Sequence, residues 1–161
     1  MLKVISNTTP IISLLKIDKL DIIKDLYGEI FIPNEVFNEI EAGKNKEFYK
    51  DLSEIEWIKI EEIKNKNSLS YFIDLDKGEA EAIILATEKE ADLIIIDESL
   101  GRFYAKHSGL KVTGTIGMLL KAKNLGFINE IKPLLSELKS KNIWLSDSLV
   151  EKALKLAKEN Q

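Results

Sequence analysis

DLDKGEAEAIILATEKEADLIIIDES, residues 74–99, decides the fold. In its first half Ala80, Ile83, Ile84 and Thr87 recur at the spacing of one helical face. In its second half Leu93, Ile94, Ile95 and Ile96 run without a polar break. A continuous apolar strand suits a parallel sheet covered on both faces. Helix followed by buried strand is half of a β–α–β unit, so the neighbouring segments should repeat the alternation.

They do. "LKVIS" (2–6) reads as a buried strand that Asn7, Thr8, Thr9 and Pro10 cut off. Residues 8–16 and 18–27 carry helical patterns, with Gly28 as a stop. "EIFI" (29–32) is a second short strand, and Pro33 opens the helix "PNEVFNEIEAG" (33–43). "IEWIKI" (55–60) alternates apolar and polar residues, as a half-buried edge strand does. "KNKNS" (64–68) reads as a solvated loop and "SLGRFYAKH" (99–107) as a helix. "LKVTG" (110–114) is a weaker strand, and helices are expected near 115–125, 129–141 and 146–159, with Ser146 as an N-cap. The expected fold is α/β, with three layers and right-handed crossovers around a mostly parallel twisted sheet. Residues 1–161 are expected to form a single domain, with the helices of 129–161 packed on it as an extension.

Composition sets bounds. The 161 residues suffice for a real core without covalent staples. With no cysteine, disulfides and thiolate metal sites are excluded. The net charge of −4 is not that of a protein that coats nucleic acid, yet an acidic metal site beside local cations stays compatible with it. No apolar run approaches the ~20 residues needed to span a bilayer. The first residues do not read as a signal peptide, because Lys3 and the polar stretch from Asn7 interrupt them. A cytoplasmic location is the expectation.

In parallel sheets ligands bind beyond the carboxyl ends of the strands. Asn7 and Asp97 both occupy such ends, with Glu98 following Asp97. Asp97 has a plain structural alternative as the N-cap of the helix at 99–107. Glu39 lies on the helix after Pro33 beside Glu35 and Glu41, where it could simply be surface charge. Glu79, three residues after Asp76, could complete a capping box. Glu81 is two positions further on, about 200° round the helix, so Glu79 and Glu81 cannot face one point. His107 is the only histidine and reads as a surface residue. "GTIG" (114–117) lacks the lysine of a phosphate loop and reads as the turn before a helix. Arg102, Lys106, Lys121 and Lys123 are candidates for a basic rim, against a solvated helix surface.

The order of these features resembles the PIN-domain nucleases across almost the whole chain. More closely, it resembles the prokaryotic PIN-like family catalogued as domain of unknown function 3368. The segments that carry the resemblance are "VISNTTPIISLLKI", "LYGEIFIPNEVFNEI", "GEAEAIILA", "ADLIIIDE" and "VTGTIGMLLKAKNLGFI". The resemblance implies a metal-dependent ribonuclease whose cofactor is Mg2+ or Mn2+. It implies Asn7, Glu39, Glu79 and Asp97 as metal ligands, with Glu39, Glu79 and Asp97 as the catalytic acids. Thr8, Glu81 and Glu98 are auxiliary candidates, and Thr8 or Thr9 matches the hydroxyl residue that accompanies the first acid. Its finer implication is the toxin of a toxin–antitoxin pair, with RNA as substrate and a small antitoxin or a second copy as partner.

One position departs from the family. Its first ligand is ordinarily aspartate, and here it is Asn7, which offers an oxygen without charge. An acid restored at position 7 is therefore expected to tighten metal binding. The alternative reading is a catalytically impaired binding or regulatory protein that kept the fold.

Overall fold

The computed structural model describes residues 2–159. Five parallel strands form one sheet in the order β3–β2–β1–β4–β5. They are β1 (Val4–Ser6), β2 (Ile30–Pro33), β3 (Ile58–Glu61), β4 (Leu93–Ile95) and β5 (Val112–Thr113). The helices are α1 (Thr8–Lys16), α2 (Asp21–Tyr27), α3 (Asn34–Glu41), α4 (Lys77–Glu88), α5 (Ser99–His107), α6 (Thr115–Asn124), α7 (Lys132–Ser140) and α8 (Asp147–Leu156). None is long and apolar enough to cross a membrane.

The central strands are apolar throughout because each face of the sheet has its own core. Successive side chains of a strand point to opposite faces. Val4 and Ile95 join one cluster with Ile11, Leu14, Val36, Met118, Leu135 and Ala153. Ile5, Ile94 and Ile96 join the other with Ala82, Ile83, Leu85 and Ala105. Helices α4 and α5 thus cover one face, while α1, α3, α6, α7 and α8 contribute to the opposite core. Between Gly78 and Ala86 every residue of α4 is buried, so this helix has no free face to spare for solvent. Of the stripe expected at Ala80, Ile83, Ile84 and Thr87, the first three are therefore only part of a wider buried surface, and Thr87 is exposed.

Boundaries differ from expectation where the backbone turns. The helix expected from residue 18 starts at Asp21, because Asp18 takes a left-handed φ of 54°. Gly28 does stop α2, at a φ of 80° that disfavours other residues. The strand expected at 110–114 keeps two paired residues, and "KNKNS" runs into a short 3-10 helix at Lys66–Phe72. β3 is an edge strand as expected, shifted to Ile58–Glu61. Ser146 caps α8 by accepting from the Leu149 N–H at 3.1 Å.

The strand order positions the site. From β1 the chain moves outward through β2 to β3, then returns to the other side of β1 with β4 and β5. The reversal leaves a crevice between the carboxyl ends of β1 and β4, where doubly wound sheets bind their ligands. Ser6 and Ile95 pair in register at that edge.

Candidate active site

Asn7 follows β1 directly and is only 2% exposed. Its N–H donates to the Ile95 carbonyl at 2.9 Å, which fixes the backbone to β4. Its side-chain Nδ2 donates to Glu98 Oε2 at 3.4 Å, and Thr9 Oγ1 donates to Glu98 Oε1 at 2.7 Å. Thr8 donates its hydroxyl to Glu39, bringing the middle of α3 against the start of α1. The three residues after β1 thereby hold two carboxylates.

Glu79 and Glu81 separate as helical geometry requires. Asp76 caps α4 by accepting from the Glu79 N–H at 2.8 Å. The Glu79 carboxylate faces α5, where a Cβ on Gly101 would lie 2.7 Å from its Oε2. Glu81 accepts instead from the Glu35 N–H at 3.1 Å, in the first turn of α3. A carboxylate there satisfies an otherwise orphan donor and complements the helix dipole.

Asp97 does not cap the helix that follows it. The N-cap position of α5 belongs to Glu98, whose side chain makes no capping bond. Asp97 reaches across the sheet edge to α6: Oδ1 accepts from the Thr115 N–H and Oδ2 from the Thr115 hydroxyl, each at 2.7 Å. The candidate basic rim disperses. Arg102 donates to the Ile96 carbonyl at 3.1 Å, whereas Lys123 pairs with Glu159 at 2.8 Å. Lys121 lies over the Tyr27 ring, 5.0 Å from its centroid. His107 is exposed, with Nδ1 3.0 Å from the Phe103 carbonyl.

Burial drives the electrostatics. It is the largest cause raising the Glu79 carboxyl from 4.5 to about 8, followed by the hydrogen bond that the protonated carboxyl donates to Asp76 and the charges of Asp76 and Glu98. Burial also raises Glu39, against the lowering effect of the Thr8 hydrogen bond, with Asp76 and Glu35 adding to the rise. Among the described residues two side-chain oxygens are buried without any partner, Asn7 Oδ1 and Glu79 Oε2. Unpaired buried oxygens are costly, and a bound cation or donor would relieve them.

Among the described residues no three acids, histidines or cysteines stand as a ready-made metal cage. Several carboxylate oxygens are engaged by hydroxyls and N–H groups instead. The donor set is nonetheless all oxygen, as a hard cation such as Mg2+ or Mn2+ requires. The two unpartnered oxygens lie on the residues the sequence singled out, so the residues fit such an ion.

Three glycines complete the site, and they were not singled out from the sequence. A Cβ on Gly78 would lie 2.5 and 2.6 Å from the two Glu39 oxygens. One on Gly114 would lie 2.5 Å from Asp97 Oδ1. With Gly101 facing Glu79, each of the three acids rests against backbone that has no side chain. A signal was available: glycine inside a helix costs about 1 kcal/mol relative to alanine, and Gly101 sits there regardless.

A sequence family described as a PIN domain, DUF3368, matches residues 3–159. No curated protein and no solved structure matches the chain.

Proposed function

The chain belongs to the PIN-domain family, a nuclease superfamily, and on that premise we propose that it is a divalent-metal-dependent ribonuclease. The observation that carries the reading is the pair of buried, unpartnered oxygens on Asn7, which follows β1, and on Glu79, in the first turn of α4. Glu39, Glu79 and Asp97 would hold Mg2+ or Mn2+ with the neutral Asn7 oxygen. The bound ion would supply Lewis-acid charge at a scissile phosphate and acidify a water.

The chain's own residues divide the remaining work. Thr8 keeps Glu39 at the crevice, and Thr115 keeps Asp97 at its rim. Burial pushes the Glu79 carboxyl up to about 8, so it would hold a proton at neutral pH that a bound cation would have to displace. Glu81 supports α3 rather than joining the ligands. Arg102, beside Asp97 and Gly114, would be the cation to meet a phosphate, on giving up its bond to the Ile96 carbonyl.

The test is cleavage of a mixed single-stranded RNA pool with Mn2+, comparing wild type with Asp97→Asn. Metal-dependent cleavage lost in the variant is the expected result; no cleavage by either protein ends the ribonuclease reading. The finer reading is a toxin partnered by a small antitoxin or a second copy. It predicts growth arrest on expression, relieved by the gene that neighbours this one. One observation favours the rival reading of an impaired binding or regulatory protein: the first position is an amide. That protein would bind RNA and leave it intact.

A further inference from the structure

We propose that Glu98 supplies the carboxylate that Asn7 lacks, so that the site's fourth negative charge has moved from the end of β1 to the end of β4. This rests on the metal-site reading above. Both Glu98 oxygens are held by residues of the β1 end, Oε2 by Asn7 Nδ2 at 3.4 Å and Oε1 by Thr9 Oγ1 at 2.7 Å. The amide has one donor side and one acceptor side. Donation to Glu98 therefore turns Asn7 Oδ1 away from that carboxylate, into the buried position where it has no partner. Asn7 cannot relax by a backbone shift, since its N–H is bonded to β4 and the residue is 2% exposed.

The ordinary explanation of Glu98 is a helix cap, and it fails. Glu98 stands at the N-cap of α5, yet its side chain makes no capping bond and points back to β1. It is also exposed, so an incoming ion can reach it. Its charge acts on the buried Glu79 as well, which places it within electrostatic reach of the other acids.

An aspartate at position 7 would have no hydrogen to offer and would face Glu98 at the same short range. Two carboxylates so placed repel strongly, and one would take up a proton. Asn7 and Glu98 thus form a matched pair. This reverses the expectation that restoring an acid at position 7 improves the site: the improvement requires removing the acid at 98.

The experiment measures thermal unfolding with and without millimolar Mn2+, and Mn2+ affinity by titration calorimetry. The proteins are wild type, Glu98→Gln, Asn7→Asp, the Asn7→Asp/Glu98→Gln double variant and Asp97→Asn. Glu98→Gln should weaken Mn2+ affinity at least tenfold, and the double variant should recover it. Asn7→Asp alone should melt below wild type without metal. If Glu98→Gln does not fold, Thr9→Val, which frees one oxygen of Glu98, should weaken Mn2+ about tenfold. Should Glu98→Gln, or Thr9→Val in its place, keep full Mn2+ affinity while Asp97→Asn loses it, Glu98 is no ligand and the metal site stands. Absence of any Mn2+ effect on wild type would overturn both.

Discussion

Gly101 and Glu79 lie close together in the site, and each carries a prediction. Alanine at 101 would gain helix propensity of about 1 kcal/mol. Its Cβ would, however, stand 2.5 Å from Ile96 Cδ1 and 2.7 Å from Glu79 Oε2, and overpacking of that kind costs about 1–3 kcal/mol. Gly101→Ala should therefore lower Tm by some degrees and blunt the response to Mn2+; a higher Tm would show that the contact is not tight. Glu79 binds its proton far more strongly in the folded protein, at about 8, than at the ordinary 4.5. Between those values the folded state holds more protons than the unfolded one, so stability falls as pH rises. Metal-free protein should melt lower at pH 8.5 than at pH 5.5, and Glu79→Gln should flatten that slope. Mn2+ must displace the same proton, so its stabilisation should grow over the same interval. A slope unchanged in Glu79→Gln would place the titration elsewhere.

Among the elements, β1 and β4 were legible because burial on both faces leaves an unbroken apolar run, and their ends announced Asn7 and Asp97. The two-residue β5 was less so, since a short edge strand carries little pattern. Asp97 shows why the site was harder to read than the sheet. Proximity in sequence favours α5 as its partner, but the crossover brings the start of α6, residue Thr115, to the same edge. The Thr9–Glu98 and Thr8–Glu39 pairs are likewise products of the strand order, separated by 89 and 31 residues, and no local spacing encodes them. Helical periodicity did separate Glu79 from Glu81, because a 200° difference survives any packing. The role of Asp97 as an outside cap of α6 has a consequence at this scale. Thr115→Val removes the hydroxyl donor and leaves one Asp97 oxygen unpaired, which should cost about 1–2 kcal/mol. Comparable stability of Thr115→Val and wild type by urea unfolding would show that Asp97 gains nothing from the Thr115 hydroxyl.

At the scale of the whole molecule, the question is whether α7 and α8 fold with the sheet or merely rest on it. Leu134, Leu135 and Leu138 of α7 and Ala153 of α8 share one core with Val4 and Ile95 of the central strands. A single carboxylate near the end of the described chain ties these helices together. Glu159 accepts from the N–H groups of Ile131 and Lys132, at 2.9 and 3.0 Å, and from Lys123 Nζ at 2.8 Å. It thus joins the segment after α8 to the start of α7 and the end of α6. Burial alone would raise its carboxyl, but Lys123 and the two N–H groups outweigh it and hold the group below its ordinary value. Folding therefore favours the charged form, and this stability is present above the ordinary pKa and lost as pH falls through the lowered one. Its pH dependence is opposite in sign to that of Glu79 and lies in more acidic solution. Glu159→Gln keeps the shape and removes the charge from several charge-assisted bonds; about 2 kcal/mol, or roughly 4–8 °C in Tm, should be lost near neutral pH. If the helices and the sheet are one cooperative unit, circular dichroism and tryptophan fluorescence should report the same lowered midpoint, Trp57 lying next to β3 and Trp144 between α7 and α8. Two separated transitions in Glu159→Gln would instead make residues 129–161 an attachment that melts on its own.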